Sequence, residues 1–214
     1  MKTIKTFILA SLLLLALALT ADAQATRRVD YIQVTTIGNG SVPTALSPYV
    51  TVVEKGQGLI HQTTFTITAM PVTVADATVG VGTKIYDFPE GRVFILGGTG
   101  SAQFTTTSVL ASTLNTGVSC RWGLGTVTQT NATLATTEQD LLPVTTFAAS
   151  ATISVANTAT TSQLAAAAQF DGTSTAKDAF FNISVPTATD IDADATVLVS
   201  GTITITWINL GDLP

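Results

Sequence analysis

Apolar and polar residues alternate along most of this chain in short runs. From Leu59 the odd positions read Leu59, His61, Thr63, Phe65 and Ile67, with polar or small residues between most of them. From Thr202 the even positions are Thr202, Thr204 and Thr206, against Ile203, Ile205 and Trp207. A period of two places one set on a core and the other in solvent, which is the signature of a half-buried strand. Comparable runs fall at 29–36, 49–55, 84–88, 92–96, 102–106, 118–126, 151–156, 179–185 and 196–199. Between them stand Gly38-Asn39-Gly40, Gly56-Gln57-Gly58, Pro89-Glu90-Gly91, Gly97-Gly98-Thr99-Gly100 and Asp171-Gly172, residues that supply tight reversals and positive φ. The pattern predicts an all-β chain, an antiparallel β-sandwich of about ten strands, jelly-roll-like, with very little helix.

Helical signals are short. Residues 108–114 have room for two turns. Thr137-Glu138-Gln139-Asp140 resembles an N-terminal capping box that Pro143 stops almost at once. The alanine-rich stretch 163–169 fits a helical turn or a strand equally well. No repeat of fixed period is present, which argues against a solenoid.

The N-terminus follows a different rule. Lys2 and Lys5 precede an apolar run at 7–19, and Ala21-Asp22-Ala23 matches a small-x-small cleavage site. As a helix that run would extend about 20 Å, short of the roughly 30 Å hydrocarbon core of a bilayer. Residues 1–23 therefore read as an export leader and 24–214 as a single β-sandwich domain, with no stable membrane span in the mature chain. The leader implies an extracellular location.

Composition narrows the partners. With residues 1–23 set aside, seven basic and thirteen acidic side chains remain, a net charge of −6 with the one histidine neutral. No basic run exists beyond Arg27-Arg28, so nucleic acid is not an expected partner. Charged residues make up only 11% of the chain, and 41 threonines stand against five lysines. The surface must therefore be made largely of hydroxyls and amides, which suits strands and not helices. Cys120 is the single cysteine, so no internal disulfide is available; it shares a parity with Val118, Trp122 and Leu124 and reads as a buried thiol.

Candidate chemistry is thin. Asp190, Asp192 and Asp194 have the D-x-D-x-D spacing that begins a calcium loop, but Ala195 stands where the loop needs glycine and Gly201 where it needs a bidentate glutamate. The three carboxylates are the one metal candidate, for calcium, beside the reading of a solvated acidic loop that discourages edge pairing. No other cofactor is implied. His61, the only histidine, lacks the partners of a G-x-S-x-G or H-E-x-x-H set. Glu138 and Asp140 form a carboxylate pair of the type a glycosidase uses, without evidence of their separation. Gly80-Val81-Gly82 and the stretch 97–100 do not match a phosphate loop and read as turns. The T-x-T spacings at 202–206 and 126–130 fit exposed strand faces; an ice-binding face would need such threonines stacked in register. Asn131 and Asn182 begin glycosylation sequons.

Two stretches carry a resemblance: GLGTVTQTNATLATTEQDLLP at 123–143 and VPTATDIDADATVLVSGTITITWINLGD at 185–212. They are similar to uncharacterised β-rich virion structural proteins of tailed bacteriophages, with a looser similarity at 86–97. The resemblance implies a capsid-decorating or fibre-like component with a jelly-roll-like fold, no enzymatic activity, and partners among capsid or other structural proteins and its own copies as a homo-oligomer. The leader departs from that picture, since particle proteins ordinarily need no export peptide, and is better explained by a secreted bacterial cell-surface or matrix protein built on the same sandwich.

Overall fold

The structure is a computed structural model and describes residues 41–46, 48–57, 60–75, 77–106, 119–148, 157–159, 169–172, 174–188 and 195–210. They form ten strands: β1 (Val50–Gln57), β2 (Ile60–Val74), β3 (Gly80–Asp87), β4 (Gly91–Thr106), β5 (Ser119–Gly125), β6 (Leu142–Ala148), β7 (Asn157–Ala159), β8 (Gln169–Gly172), β9 (Asp178–Ser184) and β10 (Ala195–Asn209). Helix among the described residues is confined to 3₁₀ turns at Thr44–Leu46 and Thr136–Glu138 and to Ala188.

The strands make two antiparallel sheets. One runs β1-β2-β10-β4, with β7 and β8 both paired to the far side of β4; the other runs β3-β9-β5-β6. β7 pairs with Gly100 to Ala102 and β8 with Gly91 to Phe94, so the two short strands lie end to end along β4. The chain changes sheet between β2 and β3, β3 and β4, β4 and β5, β6 and β7, β8 and β9, and β9 and β10. The antiparallel β-sandwich expected from the alternation is what the chain forms.

Alternation builds the core. Phe65, Ile67, Val93, Ile95, Phe104, Val197, Val199, Ile203, Ile205 and Trp207 point inward from the six-stranded sheet, and Ile85, Trp122, Leu124, Phe147, Phe181 and Ile183 come from the other. Aromatic rings lock the layers together. Phe104 stacks on Phe147 with centroids 4.1 Å apart, and Phe65 meets Tyr86 edge-on at 5.3 Å. Pairs of this kind add about 0.5–1.5 kcal/mol beyond the area they bury.

Several segments depart from the sequence reading. Gly97-Gly98-Thr99-Gly100 is not a turn but the middle of β4, which runs unbroken from Gly91 to Thr106. The physical reason is on the opposite sheet: a Cβ on Gly100 would lie 2.9 Å from Leu142 Cδ2 and 3.2 Å from Trp122 Cη2. These glycines let large side chains of the second sheet come close, a role that a glycine cluster does not advertise. Gly80-Val81-Gly82 likewise opens β3 and is not a turn. The runs at 196–199 and 202–210 are one strand, β10, interrupted by a bulge between Val199 and Gly201. Pro143 sits inside β6. The expected runs at 29–36 and 151–156 and the expected helical turn at 108–114 lie outside the described residues, as do the expected leader at 1–23 and all of 163–168.

Candidate functional site

Three places concentrate polar chemistry. The first is one end of the core. Glu54 on β1 has the parity of Val50 and Val52, so its carboxyl turns inward, opposite Thr63 on β2. The Tyr86 hydroxyl on β3 donates to Glu54 Oε1 from the other sheet. Trp207 Nε1 donates to Thr63 Oγ1 at 2.8 Å, and the His61 ring stacks on Trp207 with centroids 4.3 Å apart. Tyr86, Phe88 and Trp207 continue the cluster edge-on. Burial pushes the Glu54 carboxyl up to about 7, against a smaller opposing effect of its bond with Thr63. His61 is buried and stacked in this cluster, as a strand histidine on the core face should be.

The second place is the connection between β5 and β6. Glu138 is buried, and its Oε1 accepts from the Thr130 backbone N–H, the Thr130 hydroxyl and Asn131 Nδ2, while Oε2 accepts from the Ala135 N–H. Burial opposes its charge, but these donors outweigh burial and hold it below the usual carboxylate range. Asp140 accepts from the Thr126 N–H and hydroxyl, both at 2.7 Å, yet burial raises it to about 6. Asn182 on β9 completes the loop: its Oδ1 accepts from the Gln129 N–H, and its Nδ2 donates to the carbonyls of Val127 and Glu138.

This connection corrects one expectation. Thr126, Thr128 and Thr130 are not a strand ladder, because β5 ends at Gly125 and the hydroxyls of Thr126 and Thr130 are turned onto Asp140 and Glu138. The carboxylates of Glu138 and Asp140, to which the sequence assigns no catalytic role, hold the loop backbone and the Thr126 and Thr130 hydroxyls. Asn182, the second sequon, is fully buried with all three amide bonds used, so the folded chain offers no acceptor there.

The third place is the outer face of the six-stranded sheet. Register places Thr51, Thr66, Thr202 and Ser101 in one row across four strands, and Val53, Thr64, Thr204 and Thr99 in the next. Thr64 and Thr204 share a hydrogen bond at 3.1 Å. Threonines therefore do stack in register, which the sequence did not reveal, in these two rows and again at Thr73 and Thr196; on the other side the third row reads Lys55, Gln62, Thr206 and Gly97. The fourth row reads Gln57, Ile60, Ile208, Phe94 and Gln169, with three apolar residues at its centre. It ends at a shallow cleft of about 250 Å³ lined by Arg92, Phe94, Phe170 and Asp171.

Asp190, Asp192 and Asp194, the calcium candidate, lie outside the described residues. Among the described residues no group of three or more His, Cys, Asp or Glu side chains is placed to hold a metal ion. Cys120 is fully buried on β5, on the core face with Trp122 and Leu124. Among the described residues no helix is long and apolar enough to cross a membrane.

Of these three places, sequence reasoning singled out His61, Glu138 and Asp140, read Asn182 only as a glycosylation sequon, and missed Glu54 and Tyr86. The signal for Glu54 was its shared parity with two valines in a short strand. No known protein family, curated protein or solved structure matches this chain.

Proposed function

We propose that this chain is a non-enzymatic surface component of a virus particle, a capsid-decorating or fibre-like protein that works by contact with other structural proteins and with copies of itself. The observation that carries the reading is the strand order. Taking β7 and β8 as one interrupted strand, β2-β10-β4-β7/β8 faces β3-β9-β5-β6, with the chain alternating between layers. That order supports the reading of a jelly roll, a double Greek key found in viral capsid and lectin domains among others. Fold alone does not name a task. A second support is chemical: Glu138 and Asp140 are spent on loop backbone, and Asp87 and Asp178 on Lys84 at 2.5 and 2.9 Å. The described residues of the resemblance at 123–143 and 185–212 fall on the end of β5, the β5–β6 connection and β10.

The leader-like N-terminus favours a second reading, a secreted bacterial cell-surface or matrix protein using the same sandwich. Quantitative mass spectrometry of density-purified particles from the source culture separates the two. Many copies per particle are expected. Presence only in the particle-free medium or on the cell envelope overturns the virion reading.

A further inference from the structure

We infer that the outer face of the six-stranded sheet is a two-fold self-association surface, on which a second copy of this chain packs with its own Ile60–Ile208–Phe94 strip. The inference rests on the reading of the chain as a protein that acts by contact between copies, and it names the surface that makes the contact.

Charge is the first argument. The chain carries a net charge of −5, so two copies repel each other except where carboxylates are missing. On the outward positions of β1, β2, β10, β4 and β8 the only charged side chains are Lys55, Arg92 and Asp171. Apolar exposure is the second. Val53, Ile60 and Leu210 are 45%, 53% and 38% exposed, and all three belong to this face, where the Leu210 N–H extends the β10 ladder onto the Arg92 carbonyl. Ile208 and Phe94 fill the strip between them.

Size is the third argument. Four to five strands about 4.8 Å apart and four rows about 7 Å apart cover roughly 500–650 Å² of sheet. That is most of the about 800 Å² per partner that a stable interface buries. Symmetry is the fourth: an isologous contact needs a self-complementary patch. Arg92 and Asp171 lie side by side as register partners at the end of the strip. A two-fold axis through Ile208, diagonal to the strands, would bring each Arg92 near the Asp171 of the other copy as well as its register partner in its own chain, so the charges are complementary across the pair.

The test uses the full chain, expressed with its own leader in an exporting bacterium, in sedimentation velocity from about 0.1 to 100 µM, with near-ultraviolet circular dichroism to confirm the fold of every variant. Wild type is expected to dimerise. Ile60→Glu, Arg92→Asp alone and Asp171→Arg alone should each weaken the dimer at least tenfold, whereas Val127→Glu, at an exposed apolar residue outside the face, should leave it intact. Mixing the Arg92→Asp and Asp171→Arg proteins should restore a heterodimer, since both charge contacts are then opposite in sign. A strictly monomeric wild type, a dimer indifferent to Ile60→Glu, or a mixture that stays monomeric overturns the inference. Each of these results is independent of whether the protein is found in particles, which tests the functional reading separately.

Discussion

Tyr86 on β3 donates its hydroxyl hydrogen to Glu54 on β1, tying a carboxyl from the border strand of one sheet to the core of the other. Inward-facing charge on a border strand discourages further strand pairing, and here it also makes the fold sensitive to pH. The Glu54 carboxyl moves from an ordinary 4.5 to about 7 on folding, chiefly because burial disfavours its charged form. The folded state therefore holds a proton that the unfolded state has released between these limits. Its contribution to stability is full below about 4.5 and lost as pH rises through about 7. Asp140, raised to about 6, acts in the same direction. The melting temperature should rise as pH falls from 8 to 5, and Glu54→Gln should flatten the upper part of that slope. A wild-type melting temperature that falls over this range contradicts the assignment.

Asn182 is the polar centre of the β5–β6 connection, since one amide satisfies the Gln129 N–H and the carbonyls of Val127 and Glu138. Asn182→Ala leaves these groups without their partner, at about 1–3 kcal/mol for each buried group left unsatisfied. Chemical denaturation should show a loss of roughly 3 kcal/mol or more. Asn131→Ala, at an exposed site, should cost less than about 1 kcal/mol. The same burial predicts that Asn182 stays unmodified if the chain is passed through a glycosylating secretory pathway, which peptide mapping by mass spectrometry reads directly.

Two glycines give a graded test of the sheet packing. A Cβ on Gly201 would come 2.0 Å from the Ser101 carbonyl oxygen, which belongs to the neighbouring strand backbone and cannot yield without moving β4. On Gly100 the nearest atom, at 2.9 Å, is the flexible end of Leu142. Gly201→Ala should therefore destabilise by about 1–3 kcal/mol, and Gly100→Ala by less, because overpacking costs most where the neighbour is rigid. Equal losses in thermal melts would contradict the packing described at the β10 bulge.

The layered β architecture was legible in the sequence because alternation and burial obey the same period. Phe65 and Ile67, or Ile203, Ile205 and Trp207, can face a core only from one side of a strand. What alternation cannot show is which strands meet. The rows that join Thr66 to Thr202, or Ile60 to Ile208 and Phe94, depend on pairings between positions more than a hundred residues apart, so the composition of the outer face stayed hidden. Glycine misled for a related reason: at 97–100 it marks close approach of a second layer, not a reversal. Pro143 read as a stop because it ends helices, yet it is admitted in β6, a border strand of its sheet. The polar network at Asn182 was invisible because the loop partners it serves at Val127, Gln129 and Glu138 lie far from it in the chain.

Electron cryomicroscopy of purified particles tests the central claim most directly. The account predicts a repeating two-layer β density on the particle surface, into which β1 to β10 fit, with the Thr66–Thr202 and Ile60–Ile208–Phe94 rows covered by a two-fold related copy. Particles whose density is fully explained by other chains, or a bound copy whose six-stranded sheet turns that face to bare solvent, would contradict it.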